Sequence, residues 1–180
     1  MTEISATGRL TADNTVTFER AFDGCGAEKL WQAVATQEGL ARWFMSPGED
    51  PAAGGRFDFE GGWAGNVTVF EPGSRVVFVP DSSDEASLAF RVTTAASGSR
   101  LILTDRMGPD VSAPDILPDL PESQRYQPGG PGTHWTGFLA GYHSGLDALA
   151  AILTGEPDRD TDYNRLCEIY AVILDKRFAA

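Results

Sequence analysis

Residues 134–153 read HWTGFLAGYHSGLDALAAIL, and this stretch decides the fold. Trp135, Phe138, Tyr142, Leu146, Leu149 and Leu153 recur every three or four positions, which sets them on one stripe of a long helix. Thr133 suits the N-cap, and Gly155 with Pro157 supplies the stop. A helix this apolar along one side needs a wide partner surface, and the chain before it reads as strands. The expected architecture is α+β, a sheet curled around one long C-terminal helix.

Upstream, residues 8–22 read as an edge hairpin turning at Ala12-Asp13-Asn14. Two short helices follow, one with Leu30, Trp31 and Val34 inward and a second capped by Thr36 and carrying Leu40, Trp43 and Phe44. Five strand candidates succeed them at 56–60, 63–71, 74–80, 87–95 and 99–107, joined by short turn-rich links as in an antiparallel meander. Alternation puts Phe57 with Phe59, Trp63 with Val67 and Val69, Leu88 with Phe90 and Val92, and Leu101 with Leu103. For 74–80 it leaves two choices open, Val77 with Val79 or Val76 with Phe78.

Residues 108–133 hold six of the 11 prolines and read as a long inserted loop, either a surface excursion or a lid over a cavity mouth. Beyond residue 156 an extension ends in an amphipathic helix with Tyr163, Leu166, Cys167, Tyr170, Ile173 and Leu174 on its apolar side. One domain spanning 1–180 accounts for the length.

A net charge of −12 repels phosphate backbones and anionic bilayers, so neither nucleic acid nor a membrane surface is an expected partner. No apolar run reaches the roughly 18 to 20 residues of a membrane span. The first residues lack the pattern of a secretory signal, so a cytoplasmic protein is expected. Cys25 and Cys167 stand far apart with no ligand spacing around them, against a disulfide or zinc. Asp158, Asp160 and Asp162 imitate half a calcium loop, but Tyr163 and Ile169 occupy the places of its glycine and glutamate. No metal and no cofactor is expected.

The runs VTFERAFDGCGAEKLWQAVATQEGLARWF (16–44) and GNVTVFEPGSRVVFV (65–79), with Gly54-Gly55 between them, resemble the activator of heat-shock protein ATPase homologue family. The carriers are Arg20, Trp31, Trp43 after Gly39-Leu40, Gly55 and Glu71-Pro72, and the likeness covers 8–107 and 134–155. That family belongs to the START/polyketide-cyclase (SRPBCC) superfamily. The resemblance implies a helix-grip fold with an apolar cavity between sheet and helix. It further implies binding of a lipid or polyketide-like metabolite, a cyclase or dehydratase reaction, or stimulation of a chaperone ATPase.

Aromatic walls suit such a cavity, and Phe57, Phe59, Trp63, Val67, Phe90, Leu103, Trp135, Phe138 and Tyr142 are the candidate ligand-binding residues. Tyr142 or Arg106 would be the polar group of an enzyme, although Arg20, Arg91 and Arg106 read as outward and solvated. His143 and Asp147, one helical turn apart, read as a partly exposed ion pair. Cys25 has no partner base and His134 is unremarkable. Gly137, Gly141 and Gly145 repeat every four residues and point either to room for a bulky ligand or, the preferred reading, to close packing by a helix such as 163–178, so that Gly141→Leu should harm stability more than Ala140→Leu. The last helix could also serve a homodimer or a chaperone partner.

Overall fold

The computed structural model describes residues 8–10, 15–60, 62–107, 133–155 and 163–178, with side chains described except at 10, 133–135 and 171–178. The elements are β1 (Arg9–Leu10), β2 (Thr15–Asp23), α1 (Ala27–Ala35), α2 (Gln37–Ala41), β3 (Arg56–Phe59), β4 (Trp63–Glu71), β5 (Arg75–Pro80), β6 (Ala86–Ala95), β7 (Gly98–Met107), α3 (Thr133–Thr154) and α4 (Tyr163–Phe178). The strands form one antiparallel sheet in the order β1-β2-β7-β6-β5-β4-β3. It is thus a meander from β3 to β7, closed by β2 against β7. The chain leaves β2, next to the β1 edge, and enters β3 at the opposite edge, with α1 and α2 in the connection. No described helix is long and apolar enough to cross a membrane.

Strand pairing aligns one apolar face. Phe18 stands opposite Leu103, Leu103 opposite Phe90, and Phe90 opposite Val76, which makes a transverse row across four strands. Phe78 pairs with Leu88 and Val67 on the same side, so β5 turns Val76 and Phe78 to the helices and Val77 away. Both central residues of that row, Leu103 and Phe90, are fully buried. The side chains alternate with period two, and the pairing keeps them in step.

One expected pairing is corrected in β4. The register slips between Val67 and Val69, so Val69 faces Val77 and Phe70 faces Val76. A bulge adds one residue to one strand and reverses the face of all that follow. Phe70 therefore replaces Val69 on the helix side, where its ring lies 5.6 Å from Trp31 of α1.

Thr36 caps α2 as its sequence suggests, its hydroxyl accepting from the Gly39 amide at 3.0 Å. The helix ends at Ala41, so Trp43 and Phe44 belong to the turn after it. Gly39 has a steric reason: a Cβ there would stand 2.2 Å from the Gln32 carbonyl oxygen. Only glycine lets α2 fold back so tightly on α1.

Helix α3 buries two sides rather than one stripe. Tyr142, Leu146, Leu149 and Leu153 are buried as expected, and so are Leu139, Ala140, His143, Asp147 and Ala150. The second side exists because α4 packs on α3 and buries Leu166, Cys167 and Tyr170. The three glycines do not share one helix contact. A Cβ on Gly137 would lie 3.3 Å from the Tyr163 hydroxyl, and one on Gly145 would lie 3.2 Å from the Trp43 carbonyl. Gly141 is exposed with nothing within 4 Å, while Ala140 is fully buried, so the expected order of the two leucine substitutions is reversed. The turn at 12–14, the expected insertion up to residue 132 and the acidic linker with Asp158, Asp160 and Asp162 lie outside the described residues, and Thr133 is the first residue of α3.

Candidate functional site

The helix-facing side of β3, β4, β5 and β6 carries a continuous chain of rings. Trp63 stacks on Phe59 at 5.2 Å between centroids, and Phe59 meets Phe57, Phe78 and Phe44 within 5.5 Å. Phe44, in the turn after α2, bridges from there to α3. Its ring stacks on Tyr142 at 6.0 Å with an interplanar angle of 13° and also meets Phe90 at 5.8 Å. These contacts join the two halves of the expected site, sheet and helix, through a residue outside the expected set.

The walls of this site differ in accessibility. Phe57, Phe59, Val67, Phe90 and Leu103 are no more than 1% exposed, so no water molecule can stand against them. Trp63, Phe138 and Phe44 are half-buried, and Tyr142 keeps 9% of its surface. What surface these rings keep is therefore on the α3 side and at Trp63. The Trp135 and His134 side chains lie outside the described residues.

At the end of the ring chain sits a polar pair that the sequence reading missed. The Tyr142 hydroxyl donates to Asp105 Oδ2 at 2.5 Å, across from α3 to β7. Asp105 follows Leu101 and Leu103 at every second position, which turns its carboxyl toward the helices with only 6% exposure. Burial pushes this carboxyl up to about 6, against the lowering effect of the Tyr142 hydrogen bond. Burial also pushes the Tyr142 phenol far above its ordinary range, and the Asp105 charge adds to the rise. The pair can donate a hydrogen bond, accept one, or hold a proton near neutral pH.

A second polar chain runs beside the first, with Phe18 between them, its ring 6.1 Å from Tyr142 and 6.4 Å from His143. Arg20 of β2 pairs with Asp147 of α3. Asp147 Oδ2 lies 3.7 Å from His143 Nε2, and His143 Nδ1 lies 2.9 Å from the Tyr170 hydroxyl of α4. The Gly8 amide donates to that same hydroxyl at 3.1 Å. His143 and Asp147 are each 6% exposed, so the partly exposed pair expected here is a buried one. Arg20 is also corrected: it shares the helix-facing side with Val16, Phe18 and Phe22, and only 22% of its side chain reaches solvent.

Arg91 and Arg106 are exposed on the opposite side of the sheet from Phe90 and Asp105, so neither aims into the ring chain. Cys25 and Cys167 are both buried thiols. Among the described residues no cluster of three metal-ligating side chains occurs.

Several solved structures share this fold. CalU16 from Micromonospora echinospora superposes with a TM-score of 0.63 at 17% identity, over 93% of this chain and 94% of that one. A conserved protein of unknown function from Enterococcus faecalis, EF2215, gives a TM-score of 0.64 at 14% identity over 94% and 90%. The solution structure of BH1534 from Bacillus halodurans gives 0.59 at 22% identity over 76% and 94%. No family model and no curated protein matches the chain.

Proposed function

We propose that the protein binds a small apolar or aromatic molecule, a lipid or polyketide-like metabolite, between the sheet and α3 of a helix-grip domain of the START/SRPBCC kind. The resemblance in residues 16–44 and 65–79 supports the superfamily, and the α+β architecture shared with the solved structures is compatible with it. The observation that carries the binding reading is the Asp105–Tyr142 pair at the foot of the aromatic chain. Burying a carboxyl among rings costs free energy that the Tyr142 hydrogen bond offsets only in part, as the raised titration shows. Here the pair gives an apolar guest one polar anchor, which is the usual composition of a small-molecule site. Phe57, Phe59, Phe90 and Leu103 are sealed, so the guest enters at the accessible side, by parting Phe44, Phe138 and Tyr142.

A second reading is a cyclase or dehydratase reaction in the same place. The Asp105 carboxyl, at about 6, favours it, because a group titrating near neutral pH can both give and take a proton. Native mass spectrometry of freshly purified protein, followed by thermal shifts with fatty acids, flavonoids and polyketides, tests the binding reading. We expect at least one class to be retained or to raise the melting temperature, and Tyr142→Phe to weaken that effect. Absence of any retained mass together with no stabilising compound would remove the proposal. Conversion of a bound compound that stops in Asp105→Asn would establish the enzyme.

A further inference from the structure

A groove of about 240 Å³ opens between α1, α2 and the C-terminal half of α3, away from the Asp105–Tyr142 pair. Trp43, Ile152 and Leu153 give it an apolar floor. Lys29, Arg42 and Glu38 stand at its rim, two cations against one acid in a chain of net charge −12. Lys29 Nζ donates to the Leu153 carbonyl at 2.7 Å, which fixes one cation at the end of α3. Arg42 is exposed and, among the described residues, has no carboxylate within ion-pair distance. The Trp43 indole N–H donates to the Ala33 carbonyl at 2.9 Å.

We propose that this groove is a second small-molecule site, which takes a compact aryl carboxylate with its ring on Trp43 and Ile152 and its carboxylate on Arg42. A guanidinium presents two parallel donors that match a carboxylate, and an adjacent ammonium deepens the local positive field. The groove has room for about eight waters at about 30 Å³ each, which fits one or two fused rings and is too small for a long lipid. Trp43 also packs its ring 5.7 Å from Phe90 and 5.5 Å from Phe44, so the groove floor is the back of the aromatic chain. A guest on the outer side of Trp43 therefore presses on the wall of the inner site.

Titration of the ¹⁵N-labelled full chain with 2-naphthoate, followed by amide shifts, tests this. The expected result is movement at Gln32, Gly39 and Ile152, with Kd raised about tenfold in Arg42→Gln through loss of the charge-assisted hydrogen bonds. The neutral 2-naphthamide should bind more weakly than the acid. An unchanged Kd in Arg42→Gln, equal binding of the amide, or no shifts at all would overturn the proposal. Shifts gathered at Phe44, Asp105 and Tyr142 instead would overturn it while supporting the interior site.

Discussion

The imidazole of His143 and the hydroxyl of Tyr170 meet at 2.9 Å, and this contact joins α3 to α4 through buried polar atoms. The hydroxyl also accepts from the Gly8 amide, so it stands at a junction of three segments. Tyr170→Phe keeps the ring against Phe18 and removes only the oxygen. Leaving buried partners unsatisfied should cost about 1 to 3 kcal/mol. Breaking the exposed Arg165–Glu168 pair by Glu168→Ala should change stability by no more than about 0.5 kcal/mol. Urea unfolding of both variants checks the contrast, and equal midpoints would refute it.

Asp147 balances the cation of Arg20 in a position with little solvent. Asp147→Asn should destabilise by about 2 kcal/mol, short of the range for a fully enclosed pair because Arg20 keeps 22% exposure. Arg20→Met should recover part of that loss in the double variant, since it removes the stranded charge. A double-mutant cycle with no coupling would contradict the pairing.

Asp105 sets a pH dependence of definite sign. Its folded carboxyl titrates at about 6 against an ordinary 3.8, so between these values the native state holds more protons than the unfolded one. Its contribution is fully present below the unfolded value and fades as pH rises through about 6. The loss is on the order of 3 kcal/mol. Unfolding free energies of wild type and Asp105→Asn, compared from about pH 3 to about pH 7, roughly one unit either side of this window, should diverge in that direction. Tyr142→Phe should raise the Asp105 titration further, because its hydrogen bond holds the value down. A carbon-13 carboxyl titration reading an ordinary aspartate would refute both.

Helix α3 offers a test of its two sides. Ala140→Leu forces extra atoms into a fully buried site and should destabilise by about 1 to 3 kcal/mol. Gly141→Ala, on the open side, should stabilise by about 0.5 to 1 kcal/mol through helix propensity. Thermal melts giving the opposite order would show that the burial assignment is wrong.

Much of the architecture was legible because its signals are local. The five strands from Arg56 to Met107 lie within a residue or two of their alternating runs, and Thr36 caps α2 where a threonine before an apolar turn should. The β4 bulge was not legible, since nothing in GNVTVFE marks an extra residue and only pairing to Val76 and Val77 reveals it. Asp105 was readable in principle, since strand parity with Leu101 and Leu103 places it inward. Arg20 shares that logic with Phe18 and Phe22. His143 and Asp147 were not, because their burial rests on contacts distant in sequence, Arg20 and Phe18 of β2 and Tyr170 of α4. Phe44 escaped notice as a site residue because its role depends on a turn that brings it between Phe59 and Tyr142.

The hydrogen bond from Gly8 to Tyr170 closes a circuit of 162 positions. The segment ahead of the first strand and the final helix are thereby fastened by one clasp, and fraying at either extremity slackens the other. A tag or deletion that disturbs one tip should register in hydrogen exchange at its distant counterpart, long before the sheet itself yields.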